Sequence, residues 1–347
     1  DVTDIKARTI SPDGSVTVLN KDNIKEVKNV EDYGDFKIFA IEGVEKNSEI
    51  EILYTVEKMY DMHGSETIQS DYPIKEAQFL LITNALNSRV KAYRTSAEFQ
   101  DITIDNRASK LLTLKDVPAM IEEEYSTPDA NRIAVVYHCF PSGQDITNEM
   151  FWNNVAGNIG SSFFPKRISP QIMEDLKSIY VSDAEYTTFE KLTILDDYIK
   201  TNFTVVNNNN PELTDIDYII KNRSASEFGI LKAYAYYLTA NEINYEVVLT
   251  ANRFTYKFDP DFFIPSMLRD FLIYIPSEKK YIAPDRAEYR VGEAPFNILG
   301  NQAMFINRNL EYYFDEVRQA DPDFSQIKRN TNITFGDDME YAQIALD

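Results

Sequence analysis

The chain has 347 residues, 44% of them hydrophobic, and carries 35 Lys and Arg against 56 Asp and Glu, a net charge of -21 at pH 7. This length and apolar content suffice for two or three domains with ordinary cores, which excludes an intrinsically disordered chain. The acidic charge argues against nucleic acid or an anionic membrane as a partner, because both need a basic patch. The strongest apolar run, at 271 to 276, is only as long as a strand, so we expect no insertion into a membrane.

Cysteine and histidine are scarce. Cys139 is the only cysteine, which rules out an intrachain disulfide framework, and His63 and His138 are the only histidines. Cys139 and His138 are neighbours on a predicted strand, where successive side chains point to opposite faces, so they cannot form a catalytic dyad with each other. We expect Cys139 to be a small core residue, and we expect no zinc site and no cofactor.

Residues 1 to 145 have the pattern of antiparallel β structure. A Pro-Asp-Gly turn precedes an alternating strand, and further strand-like runs follow at short spacing. The clearest of these runs are "EIEILYTV", "EAQFLLIT", "RVKAYRT" and "RIAVVYHCF". Strands of this length and spacing predict a β-sandwich domain.

From residue 146 the hydrophobic spacing changes to three and four, which predicts helices. In "TTFEKLTILDDYIKTNF", for example, Phe189, Leu192, Leu195 and Ile199 share one helical face. The pattern continues to a helix in "NRSASEFGILKAYAYYLTANEINYEVVLTANR", for which Ser224 and Glu227 stand at capping-box spacing.

Three predicted strands follow that helix, "YEVVLTAN", "DFLIYIPS" and "KYIAPD", and the helix should pack on the sheet that they form. We expect this second domain to span 146 to 328, with a helix at "NLEYYFDEVRQA". Residues 329 to 347 read as the start of a truncated C-terminal β segment.

The order of a helical lead-in, a capped helix and a following sheet resembles the transglutaminase-like domain of the papain-like cysteine enzymes. The whole chain is similar to bacterial proteins in which a β-sandwich of unknown function precedes such a domain. The stretches that carry the resemblance cover most of residues 3 to 300; they are "VTDIKARTISPDGSVTVL", "IEGVEKNSEIEILYTVE", "QSDYPIKEAQFLLIT", "EKLTILDDYIKTNFTV", "LTANEINYEVVLTANR" and "DFLIYIPSEKKYIAPD". The implied fold is multidomain α+β, a β-sandwich followed by a transglutaminase-like domain.

Active members of that family use a Cys at the start of the central helix, a His on a following strand and an Asp on the strand after it. Matching the stretches above puts Glu227 at the Cys position, beside Ser226, with Asp270 at the His position and Ala283 at the Asp position. A register error cannot restore the triad, because residues 140 to 347 contain neither Cys nor His. The resemblance therefore implies a degenerate triad and no catalytic residue.

Two interpretations of Glu227 and Asp270 stay open. Two carboxylates held within a few Å must share a proton or bind a cation, which allows a hydrolase-type enzyme, peptidase or glycan-directed, or a cation site. The other interpretation is structural: Glu227 completes the capping box of Ser224, and Asp270 pairs with Arg269 or with solvent. A nucleophilic role for Ser226 has little support, since no base is near it in the sequence.

Two further motifs have functional and structural interpretations. The unit Asp-Pro-Asp-Phe occurs at 259 to 262 and again at 321 to 324, and without the other ligands of an EF-hand it favours turns over calcium binding. The aromatic run "YAYYL" at 234 to 238 could line a ligand groove, although at helical spacing it favours a core with one Tyr edge exposed.

These patterns together predict a non-catalytic binding or scaffold module, with protein or peptide as the partner, and we expect a monomer. An extracytoplasmic location, in the periplasm or at the cell surface, is implied by the resemblance alone.

Overall fold

The structure of the chain is a computed structural model that describes residues 1–30, 34–59, 61–84, 86–121, 123–124, 126–141, 143, 147–181, 184–208, 210–262, 267–319, 330–335 and 342–346. The chain divides into two compact units, residues 1–64 and 65–347. The predicted domain boundaries at 145 and 328 stay predictions. Within the described residues, no helix is both long enough and apolar enough to cross a membrane.

The first unit is made of β-strands. The Pro-Asp-Gly turn joins the first two strands, with the amide of Gly14 donating to the carbonyl of Ser11 at 2.8 Å, and Gly14 takes the positive φ that favours glycine. The sheet order is β2-β1-β5, and β3 pairs with β4. The strands are β1 (Val2–Ile10), β2 (Val16–Val18), β3 (Lys25–Val30), β4 (Gly34–Ile38) and β5 (Glu49–Val56).

Two three-stranded sheets, in the orders β7-β10-β9 and β6-β11-β8, follow. Leu112 and Phe79 of one sheet and Val135 and Ala92 of the other belong to one hydrophobic core, so the sheets pack face to face. This arrangement is a two-layer β packing within residues 65–347, and a sandwich domain spanning residues 1 to 145 stays a prediction. The elements are β6 (His63–Thr67), β7 (Ile74–Ile82), β8 (Leu86–Tyr93), β9 (Gln100–Ile104), β10 (Arg107–Val117), α1 (Pro128–Asn131) and β11 (Ala134–Pro141).

The helices after residue 147 begin where a Ser, Thr or Asp side chain accepts a hydrogen bond from the first turn, which satisfies an amide that has no partner inside the helix. The capping residues are Thr147, Ser169, Thr187, Asp215 and Ser226. The helices are α2 (Asn148–Phe163), α3 (Pro170–Ile179), α4 (Thr188–Asn202), α5 (Ile216–Asn222) and α6 (Glu227–Ala240); the short parallel strands β12 (Thr204–Val205) and β13 (Ser224–Ala225) and a 3-10 turn (Pro211–Thr214) lie between α4 and α6.

Helix α6 packs on one face of an antiparallel sheet, whose strand order is β16-β15-β14-β17-β18. The shared core contains Leu231, Leu238, Val247 and Ile273, all almost fully buried. The predicted helix on an antiparallel sheet is therefore confirmed. The strands are β14 (Glu246–Thr250), β15 (Asp270–Ile275), β16 (Lys280–Ile282), β17 (Gln302–Ile306) and β18 (Tyr312–Glu316), and β19 (Thr331–Phe335) pairs with β20 (Ala342–Leu346) farther along the chain.

The predicted helix at "NLEYYFDEVRQA" is wrong, because the segment contains strand β18. Tyr312 and Phe314 pack towards the core under α6, whereas Tyr313, between them, stacks on Phe305 with ring centroids 4.9 Å apart. Alternate residues thus point to opposite faces, and pairing with β17 outweighs the helical spacing of the sequence.

Candidate functional site

The first turn of α6 is held by a side-chain cap and by the preceding 3-10 turn. The hydroxyl of Ser226 accepts from the amide of Gly229 at 3.1 Å and donates to the carbonyl of Leu213 at 3.3 Å, and the amide of Ser226 donates to the same carbonyl at 3.0 Å. A Cβ on Gly229 would lie 1.9 Å from the Leu213 oxygen, so only glycine fits at this contact.

The predicted capping box of Ser224 and Glu227 is wrong. Ser224 lies in β13, where it pairs with β12, and Ser226 is the capping residue. Glu227 is instead the first residue of the helix and is exposed. Its carboxylate thus lies at the positive end of the helix, where negative charge is stabilised.

Asp270 is the first residue of β15 and is partly buried. Its oxygen Oδ1 accepts from the Nη2 atom of Arg286 at 3.4 Å, a partner that the sequence interpretation, Arg269 or solvent, did not include. Adjacent residues on a strand point to opposite faces, whereas Arg286 follows the next strand of the same sheet and can reach Asp270 across it. The sequence signal for this pair is the "PDRAE" that ends the third predicted strand, which contains the only basic residue close after Pro284.

Burial is the largest influence on the Asp270 carboxyl and raises its pKa above 3.8. The positive charge of Arg286 opposes that shift, and the negative charges of Asp285 and Glu227 add to it. The negative charge of Glu227 therefore acts on the Asp270 carboxyl through space. The guanidinium of Arg286 also bridges to Asp285 at 3.4 Å.

Ala283 follows β16 and is fully buried. It packs with Leu272 and Tyr281 on the sheet face opposite α6, whereas Ile282 packs under the helix. By strand alternation, Asp270 and Leu272 share one face of β15, which is the face on which Ala283 lies. The structure thus brings Ala283 to the same side of the sheet as Asp270 but offers a methyl group there.

The cysteine lies on β11 of the two-layer region, in a different sheet from Asp270. Cys139 is 7% exposed, and burial raises the pKa of its thiol. His138, its neighbour, makes ring contacts with Phe140 and Phe151. The Nδ1 atom of His63 lies 3.0 Å from a carboxylate oxygen of Asp61. A buried thiol without a charged neighbour that favours the thiolate has the environment of a structural cysteine.

The described part of the chain contains no group of three or more His, Cys, Asp and Glu placed to hold an ion. The positive charge of Arg286 lies beside Asp270, one member of the cation site that the sequence left open. In the first Asp-Pro-Asp-Phe unit, Asp259 accepts from the amide of Asp261 at 2.9 Å, as the turn interpretation predicts. The second unit lies outside the described residues.

The aromatic run of α6 is mostly core, since Tyr234 and Tyr237 are fully buried and Tyr236 is partly exposed. The two buried hydroxyls meet carboxylates that sequence reasoning missed: Tyr237 donates to Asp175, and Tyr234 donates to Asp196 at 2.7 Å. Neither acid could be identified from the sequence, because a buried Asp within a helix cannot be distinguished there from a solvent-exposed Asp.

The chain is similar to a crystal structure of a putative protease from Parabacteroides distasonis, with a TM-score of 0.53 and 15% sequence identity, covering 91% of this chain and 62% of that one. A crystal structure of a putative cysteine protease from Cytophaga hutchinsonii matches with a TM-score of 0.28 and 14% identity over 82% of this chain and 96% of that one, a score too low to support an argument. No protein-family model matches, and no curated protein does.

This chain thus spans less than two thirds of the Parabacteroides protein. At 15% identity the likeness concerns the fold alone. The chain has a mixed α+β fold similar to that of the Parabacteroides structure, consistent with a transglutaminase-like domain.

Proposed function

We propose that the chain is a non-catalytic, transglutaminase-like module that binds protein or peptide in the cleft between Glu227 and Asp270. The observation that carries the proposal is Glu227 itself. A cysteine enzyme of this fold needs a thiolate at the start of the central helix, and here that position presents an exposed carboxylate. The helix dipole stabilises either anion, so the substitution keeps the helix start and removes the nucleophile.

The rest of the cleft supports this proposal. Asp270 and Ala283 stand where the resemblance expects a base and the residue that orients it, and neither side chain is an imidazole. Ser226, the neighbouring hydroxyl, already bonds Leu213 and Gly229. Loss of the members of such a unit typically costs several orders of magnitude in rate.

The charge of the cleft suggests which peptides it would bind. Glu227, Asp270 and Asp285 contribute three carboxylates around the single guanidinium of Arg286. A net negative cleft favours a ligand with a Lys or Arg side chain or a free amino terminus. We also propose a monomer located outside the cytoplasm of a bacterium, with the module spanning 146 to 328.

The test combines binding with turnover on the whole chain. Binding of basic and acidic peptide pools is measured by fluorescence anisotropy, and the same pools are assayed for amide hydrolysis and acyl transfer. We expect binding of basic peptides without turnover, and weaker binding by Glu227→Gln. Turnover that is lost on thiol alkylation and in Cys139→Ser would overturn the proposal and move the catalytic centre to β11.

One observation favours a second candidate, an enzyme that uses the two carboxylates. Burial raises the pKa of Asp270, and the charge of Glu227 adds to that rise, which is the direction expected where two neighbouring acids divide the roles of acid and base. Such an enzyme would be a hydrolase of peptide or glycan bonds. Turnover abolished both by Glu227→Gln and by Asp270→Asn, and unaffected by alkylation, would establish this candidate in place of the binding module.

A further inference from the structure

A cavity of about 580 Å³ lies beside the loop that follows β14. Its described lining includes the cations Arg253 and Lys257, the amides Asn131 and Gln302, and the aromatic ring of Phe254, and it contains no carboxylate. A lining of this sign is unusual in a chain whose net charge is -21.

Arg253 is the central feature of the cavity. Among the residues that the structure describes, its guanidinium has no hydrogen-bond or ion-pair partner, and its Nε atom is buried without one. The guanidinium carbon lies 5.1 Å from the centre of the Phe254 ring, and the backbone amide of Arg253 donates to the carbonyl of Asn297 at 2.8 Å. The ring contact and the backbone bond hold this segment without neutralising the guanidinium, and a buried donor atom such as Nε without an acceptor is costly.

Lys257 is a second cation at the same cavity. Its Nζ atom donates to Oδ1 of Asn131 at 3.3 Å and makes no ion pair among the described residues. Burial lowers the pKa of Lys257, and the positive charge of Arg94 lowers it further. An anion bound beside the ammonium group would oppose both effects, because it favours the charged form of Lys257.

Gly300 lies at the wall of the cavity. A Cβ at this position would lie 3.8 Å from Nη1 of Arg253 and 3.9 Å from Oε1 of Glu316, and the positive φ of 77° favours glycine. Glu316 is the carboxylate that comes near this wall, but it pairs with Arg318 at 3.6 Å and makes no ion pair with Arg253 in the described part of the chain. Among the residues that the structure describes, no carboxylate therefore pairs with the guanidinium of Arg253.

We propose that this cavity binds a carboxylate carried by a peptide, either its C-terminus or an acidic side chain. The planar guanidinium of Arg253 matches the two oxygens of a carboxylate, and Lys257 supplies a second charge. The volume exceeds what a small ion fills, and Phe254 and Phe258 offer apolar surface to the group that bears the anion. The site shares no residue with the cleft at Glu227 and does not rest on the function proposed for it.

The test is calorimetric titration of the whole chain at low salt with N-acetyl-Ala-Ala, its C-terminal carboxamide and inorganic phosphate. Because charged hydrogen bonds are lost, we expect the carboxamide to bind at least about tenfold more weakly than the acid, and the Arg253→Gln variant to bind the acid at least about tenfold more weakly than the parent chain. Arg167→Gln, the same charge change at an exposed position, should leave the affinity unchanged.

Thermal unfolding of each variant checks that it is folded before it is titrated. Equal binding of the acid and the carboxamide, or binding that Arg253→Gln leaves intact, would overturn the proposal. Absence of binding by all three probes at millimolar concentration would overturn it too. Phosphate binding tighter than that of the dipeptide would keep the anion site but overturn its assignment to a peptide carboxylate.

Discussion

The hydroxyl of Tyr234 on α6 donates a 2.7 Å hydrogen bond to the carboxylate of Asp196 on α4, and both side chains are almost fully buried. Lys200 bonds the other oxygen of the same carboxylate at 3.1 Å and donates to the carbonyl of Tyr289. Burial outweighs these partners and raises the pKa of Asp196. A polar contact inside the core thus fixes the orientation of α6 relative to α4.

Tyr234→Phe should lower the free energy of unfolding by about 1–3 kcal/mol, because it leaves a buried carboxylate with one donor fewer. Urea denaturation followed by circular dichroism measures the change. The matched control is Tyr236→Phe on the same helix, whose partly exposed hydroxyl makes no hydrogen bond within the described residues, and it should change stability by less than about 0.5 kcal/mol. Equal effects of the two variants would contradict this prediction.

Asp270→Asn tests the charge of the cleft through pH. Since the folded-state pKa of Asp270 is raised, its stabilising contribution is complete below its ordinary pKa of 3.8 and is lost as pH rises through the folded value. The Asn variant should therefore gain stability relative to the parent chain as the pH rises above about 4. Glu288→Gln, a change at an exposed carboxylate, provides the control. A stability difference between the Asn variant and the parent chain that does not vary with pH would refute the raised pKa of Asp270.

Gly229→Ala should destabilise the chain by about 1–3 kcal/mol or more, because the added methyl meets the backbone oxygen of Leu213. Gly157→Ala is the contrasting control. It lies within α2 with no atom within 4 Å of the added Cβ, so it should stabilise the helix by about 0.5–1 kcal/mol. If thermal unfolding shows both variants equally tolerated, α6 does not begin against the 3-10 turn.

Cys139 should react with iodoacetamide much more slowly in the native chain than in urea. The thiol is buried and its pKa is raised, so the reactive thiolate is scarce until the strand opens. Mass spectrometry at pH 8 follows the modification, with Cys139→Ser as the blank. Rapid labelling of the native chain would indicate an activated thiol, which is the signature of a catalytic cysteine.

The sequence predicted well those elements in which packing and local pattern agree. The helical face of α4 is an example: Leu192, Leu195 and Ile199 are fully buried, and Phe189 is the member left 38% exposed. The helix on an antiparallel sheet followed from the same logic. Such apolar stripes can be predicted from the sequence because the apolar face of a helix is buried against the core.

Contacts between segments that are distant along the chain could not be predicted from a single sequence. The pair of Asp270 with Arg286 depends on how two strands are aligned, and Arg269, next along the chain, looked the nearer partner. The residue that caps α6 is Ser226 and not the predicted Ser224, because Ser224 pairs with β12 as part of strand β13. Strand β18 was mistaken for a helix because its partner strand, and not its own spacing, decides its conformation.

The central place of β14 in its sheet bears on how the chain folds during synthesis. One neighbour, β15, follows within about twenty residues, but the other, β17, begins only at Gln302. Met304 and Ile306 of β17 belong to the core beneath α6, so that core cannot be complete until this late segment has left the ribosome. Until then the apolar edge of β14 is unpaired, which makes the interval before β17 docks the period of greatest risk of misassembly for the nascent chain.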